Sequence, residues 1–129
     1  MKRFAFFPIV ALAGIAAPIA TASEAPSIDS LVVCASLHGW LAQHPDVSES
    51  DRVLANREAF WFLSRAWEAA PSEQEVTAEN YKRRVSERKQ RAAMAAFHPD
   101  PGAEADMMQD AQKEIGSCSA VGAALVAKK

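Results

Sequence analysis

The chain has 129 residues, half of them hydrophobic and 23% charged, with a formal charge of −2, two cysteines and seven prolines. That length accommodates one domain with a modest core, and the composition is that of a folded chain rather than a disordered one. A mildly acidic balance argues against non-specific nucleic-acid binding, which draws its affinity from neutralising phosphates.

The first segment, "MKRFAFFPIVALAGIAAPIATA", opens with Lys2 and Arg3, continues as an uncharged apolar run from Phe4 to Ala20 and closes on Ala20-Thr21-Ala22. This is the layout of a secretory signal peptide over residues 1–22, with cleavage expected between Ala22 and Ser23, where small side chains fit the peptidase. An uncleaved anchor is the competing reading, because the run approaches the length of a membrane span; Pro8, Gly14 and Pro18 weaken it as a spanning helix. A lipoprotein signal at "LVVC" is set aside, since Val33 stands where a small residue belongs. Removing 22 of the 129 residues leaves a domain of 107, residues 23–129, and takes the formal charge from −2 to −4. The expected location is periplasmic or secreted, with no stable membrane insertion after signal cleavage.

The remaining chain carries no sustained strand-like alternation, and Ala, Glu, Arg and Leu dominate, so it reads as all-α. Pro and Gly clusters divide it into four segments. The first spans Ser27 to Gln43, where Leu31, Cys34, His38 and Leu41 share a face beside Ile28, Val32 and Ala35. The second spans Glu49 to Ala70, with Ser48 as N-cap, Asp51 completing a partial capping box, and Val53, Phe60, Leu63, Trp67 and Ala70 on its period. The third is firmest from Asn80 to Phe97, with Tyr81, Val85, Ala92 and Ala96 inward. Its start is open between Ser72, in a capping box with Glu75, and Thr77. The fourth spans Pro101 to Val126, where Met108, Ala111, Ile115, Cys118, Gly122 and Leu125 form a coiled-coil-like seam.

Short connections favour antiparallel neighbours, so the expected architecture is a small up-and-down four-helix bundle, with three helices and a long loop around Pro71 as the alternative. Cys34 and Cys118 fall on inner positions of the first and last helices, and an exported chain meets an oxidising compartment. A single Cys34–Cys118 disulfide is the expectation.

The third segment, "YKRRVSERKQRAAMAAFHPDP", locally resembles the J domain of co-chaperones: a basic amphipathic helix ending in an aromatic residue and His-Pro-Asp. The resemblance covers about 20 of 129 residues. It implies that His98, Pro99 and Asp100 would be a functional triplet in a loop between antiparallel helices, stimulating ATP hydrolysis by a partner chaperone, with Lys82, Arg83 and Arg84 as partner contacts. The family's Tyr and Leu-Gly signature in a preceding short helix has no counterpart here. The same triplet also stands at His44-Pro45-Asp46, and a physical account covers both. Proline disfavours αR for the residue before it, so each histidine ends a helix, and the aspartate can cap the next. Both triplets then mark joints at one end of the bundle.

No pattern for catalysis, metal or cofactor binding is found. His-x3-His, Cys-x2-Cys, Glu-x-x-His and Gly-x-Ser-x-Gly are all absent, so neither an enzyme nor a metalloprotein is expected. A cavity lined by Trp61, Trp67, Met94 and Met108 is a weaker reading, as such residues are more often simple core. The charge pattern says more. Residues 82–91 hold six basic groups against Glu87. Lys82, Arg84, Arg88 and Arg91 form a candidate basic face for an acidic protein partner or anionic lipid head groups, unless it meets Asp106, Asp110 and Glu114 across an antiparallel pair or stays solvated. The expected function is a protein-interaction module, monomeric or weakly dimeric, with an unknown protein partner and no nucleic acid. The alternative is a periplasmic acid-stress or holdase chaperone, similar in layout to the small disulfide-linked helical ones.

Overall fold

The computed structural model describes residues 26–127, which fold into four α-helices: α1 (Ile28–Leu41), α2 (Glu49–Ala69), α3 (Gln74–Ala96) and α4 (Ala103–Ala127), with a 3-10 turn at Pro71–Glu73. No strand occurs among the described residues. The expected signal peptide lies outside them.

Helix α1 starts where Ser27, in extended conformation, accepts the Ser30 N–H on its Oγ at 3.1 Å. Every residue from Leu31 to Leu41 except Val33 is buried, so α1 hides its whole circumference rather than one stripe. It packs against each of the other three helices. Gly39 sits on this helix where a Cβ would run into the Tyr81 ring of α3. Its missing side chain lets α1 and α3 close together.

Helix α2 is capped as its sequence suggests, with Ser48 Oγ accepting the Asp51 N–H at 3.2 Å. Its inner face differs from expectation. The buried stripe is Ala55, Ala59, Phe62, Leu63 and Ala66, whereas Val53 and Phe60 point outward and stand 52% and 65% exposed. Leu63 is buried and Trp67 packs against the core as the period predicts, so the difference lies at Val53 and Phe60. Alanines let α2 approach α1, and the cost of leaving Val53 and Phe60 in solvent is offset by full burial of Phe62 against α1.

Helix α3 begins at Gln74, and neither Ser72 nor Thr77 caps it: the residue at the cap is Glu73, without a side-chain hydrogen bond. The turn at Pro71–Glu73 feeds directly into the helix, and Thr77 is buried inside it. Of its expected inner residues, Val85 is buried, Tyr81 and Ala92 are half-buried, and Ala96 is exposed. Helix α4 begins two residues beyond the expected Pro101, because Asp100 is used in a turn, its Oδ1 accepting the Gly102 N–H at 2.9 Å. Its seam holds, with Met108, Ala111, Cys118 and Gly122 buried and Ile115 and Leu125 packed beside them.

Cys34 of α1 and Cys118 of α4 form the disulfide, with their Cα atoms 5.6 Å apart across 84 residues of sequence. Both are buried in the core cluster. Closing a loop of that length restricts the unfolded chain by an amount worth about 4–5 kcal/mol in the entropic model. The bridge is compatible with an oxidising compartment. No helix among the described residues is long and apolar enough to cross a membrane.

The position of Gly39 sets two effects against each other. Helix propensity alone favours alanine over glycine by about 1 kcal/mol, whereas a methyl pressed into a packed ring costs about 1–3 kcal/mol. Gly39→Ala is therefore expected to lower stability in urea unfolding of the oxidised protein. A raised midpoint would show that the Tyr81 ring yields freely.

Candidate functional site

The basic groups of α3 do not share one exposed face. Arg88 turns inward and is only 8% exposed. Its Nη1 and Nη2 donate to the two carboxylate oxygens of Glu114 on α4 at 3.2 and 2.8 Å, and its Nε donates to Ser36 Oγ on α1 at 3.2 Å. Ser36 in turn donates to the Val33 carbonyl at 2.7 Å. One guanidinium thus ties three helices, its planar fork matched to a carboxylate and a hydroxyl. Arg88 is withdrawn from the candidate docking face, for a physical reason invisible in the charge pattern: a cation midway along α3 has a carboxylate and a hydroxyl waiting on both neighbours.

Arg84 is also engaged, its Nη2 lying 2.7 Å from Asp29 Oδ1 at the start of α1. Lys82 makes a looser contact of 3.5 Å with Glu79, one turn back, with both side chains largely exposed. Arg91 is exposed. The expected pairing of two charge stripes therefore reduces to one bridge, Arg88–Glu114, and Asp106 and Asp110 stand exposed on α4. The exposed cations of α3 are Lys82, Arg83, Lys89 and Arg91, and the helix ends in two bare apolar groups: Met94 is 73% exposed and Phe97 89%. Because Met94 is exposed while Met108 is buried, the supposed cavity with Trp61 and Trp67 is not formed.

The two His-Pro-Asp triplets adopt one geometry. His44 Nδ1 accepts the Asp46 N–H at 3.2 Å, and His98 Nδ1 accepts the Asp100 N–H at 3.0 Å. Proline has no N–H, so the first amide able to reach back to the ring is that of the aspartate. Each triplet is a self-closing stop after a helix. His44 lines a cleft together with Ala92, Ala93 and Ala96 of α3 and Glu104 of α4, and Ala96 lies two residues before His98. The triplets accordingly lie toward the same end of the bundle. Burial lowers the pKa of His44, while the charges of Asp46 and Glu104 act to raise it.

That cleft was not anticipated from the sequence. It encloses about 340 Å³ between α3 and the 43–46 loop, lined also by Trp40, Gln43, Pro45, Lys89 and Met107. Three alanines on α3 leave the space, and only the neighbouring elements turn a run of small residues into a wall. A separate shallow depression on α2 is lined by Arg57, Phe60, Trp61, Ser64, Arg65 and Glu68. There the Arg65 guanidinium lies 5.0 Å from the Trp61 ring centre and 3.0 Å from Glu68. No group of three or more His, Cys, Asp or Glu among the described residues is placed to hold a metal.

His38 is buried in the core, stacked on Phe62 with ring centres 5.8 Å apart, and its Nδ1 has no hydrogen-bond partner among the described residues. Burial, helped by the Arg88 charge, lowers its pKa from 6.5 to about 4. The folded protein holds the ring neutral, while the unfolded chain protonates it near pH 6.5. Its contribution is therefore intact above pH 6.5 and falls away as the pH drops toward 4, by about 3 kcal/mol in all. Urea titrations at pH 7 and pH 4.5 are expected to show a smaller loss of stability for His38→Leu than for the parent protein. Equal losses would mean that His38 is not held neutral.

Compared with known proteins, the chain matches no family model, no curated protein sequence and no solved structure.

Proposed function

We propose that this protein is a periplasmic interaction module that acts by binding another protein, without catalysis, through the outer face of α3. The observation that carries the reading is the pairing of exposed cations, Lys82, Arg83 and Arg91, with the bare side chains of Met94 and Phe97 on the same helix. An isolated exposed apolar residue is unremarkable on a protein surface. A phenylalanine almost wholly in solvent beside a methionine, at the end of a basic helix, supplies both ingredients of a docking site. The cations steer and orient an acidic partner, and the ring is the kind of anchor that carries binding energy. The same helix is fastened from behind by Arg88 and Arg84, so its outer face is presented on a rigid support.

A photo-crosslinking side chain at position 97 is expected to capture one reproducible partner in cells. Arg83→Glu with Arg91→Glu should weaken capture, and Phe97→Ala should reduce affinity for that partner by about thirtyfold. Capture that is equally strong from position 68 on α2, or that is indifferent to charge reversal, would overturn this reading.

One observation favours the alternative, an acid-stress holdase. His38 is buried in the core against Phe62, where desolvation disfavours its protonated form, so acid protonates a ring that the folded core does not accommodate as a cation. In that reading the protein works by exposing apolar surface in acid. Aggregation of a client protein followed at pH 3 and pH 7 separates the two readings. Protection confined to pH 3 favours the chaperone, and no protection at either pH removes it.

A further inference from the structure

The cleft between α3 and the 43–46 loop has the size and the charge layout of a small-molecule site. Its volume of about 340 Å³ falls within the range of ligand pockets, roughly 300–1,000 Å³. Trp40 and Met107 line it, Trp40 held edge-on by the His44 ring at 5.3 Å between centres, and the α3 wall is Ala92, Ala93 and Ala96. Charge is distributed by element. The α3 wall carries Lys89, while the opposite loop carries Asp46 and the start of α4 carries Glu104. Asp46 and Glu104 are near enough to His44 for both charges to act on it.

A simple anion entering this cleft meets two carboxylates, and a simple cation meets the lysine. A molecule bearing both signs on an apolar body places each charge against its opposite and the body against Trp40, Met107 and the alanines. We propose that the cleft binds a small apolar zwitterion, an α-amino acid or the termini of a short peptide. Its carboxylate is directed to Lys89 of α3 and its ammonium to Asp46 and Glu104. This inference is independent of the docking reading, which uses Lys82, Arg83, Arg91, Met94 and Phe97 of α3 and none of the residues that line the cleft.

Three probes sharing one body test it: L-phenylalanine, phenethylamine, which lacks the carboxylate, and 3-phenylpropionate, which lacks the ammonium. Each is titrated into the oxidised protein while amide and indole resonances are followed by NMR. Phenylalanine is expected to saturate, shifting the Trp40 indole and the amides of residues 92–96, and to bind about tenfold more tightly than either single-charge analogue. A phenylalanine-containing dipeptide, run in parallel, distinguishes free amino acid from peptide as the source. Lys89→Gln should weaken phenylalanine and 3-phenylpropionate but not phenethylamine, and Glu104→Gln should weaken phenylalanine and phenethylamine but not 3-phenylpropionate. Ala96→Phe, an exposed position on the cleft wall, should abolish binding of all three while leaving the remaining spectrum in place. Equal affinity for the three probes, shifts that map elsewhere, absence of saturable binding, or unaltered binding by Ala96→Phe would overturn the proposal.

Discussion

Between Leu31 and Leu41, helix α1 buries every side chain but that of Val33, most of them apolar or small, and a helix of that kind cannot remain on the surface of a small protein. It must be covered on all sides, and the other three helices are the cover. Leaving any one away would return several of Leu31, Val32, Leu37, Trp40 and Leu41 to water, each at a cost of about 1.5–3 kcal/mol. The division of labour follows. Helix α2 contributes Phe62 and its alanines, α4 contributes Met108, Ala111 and Cys118, and α3 offers much less apolar surface.

Because its buried face is thin, α3 is held largely by polar contacts. Arg88 reaches both Ser36 and Glu114, Arg84 reaches Asp29, and Tyr81 closes onto Gly39. Of these, the Arg88 tie is the most demanding. The guanidinium is buried while Glu114 is half-exposed, and without Glu114 that buried cation would keep a single hydroxyl partner, at the cost of an uncompensated charge. Arg84 and Arg88 hold α3 from its inner side and flank, and Met94 and Phe97 stay exposed on the same helix.

The covalent and ionic ties converge on α4. Cys118 is bonded to α1 and Glu114 is bonded to α3, one helical turn apart on the same helix. These anchors add to an apolar seam that runs from Met108 and Ala111 through Ile115 to Gly122 and Leu125. His38 of α1 lies between Phe62 of α2, on which it stacks, and the charge of Arg88 on α3, and burial favours its neutral form. Acidity therefore acts at the point where α1, α2 and α3 meet, while the disulfide keeps the chain cross-linked throughout.

What the sequence determined by itself was whatever depends on local pattern. Helical period and breaker residues located four helices to within a few positions, Ser48 was legible as a cap, and two cysteines on inner positions were enough to pair α1 with α4. The His-Pro-Asp triplets were legible as helix stops because proline's restriction acts on its immediate neighbour. Tertiary structure alone decided which of several apolar stripes faced inward, since Val53 and Phe60 satisfy the helical period as well as Phe62 and Ala66 do. It decided that Arg88 belongs inside, because an arginine's placement depends on a carboxylate and a hydroxyl brought up from 26 residues ahead and 52 residues behind. It also created the cleft over Trp40, whose walls come from three separate elements. Periodicity reports the contacts a residue can make within its own helix; whether a side chain is core, tie or surface is settled by what the other helices bring to it.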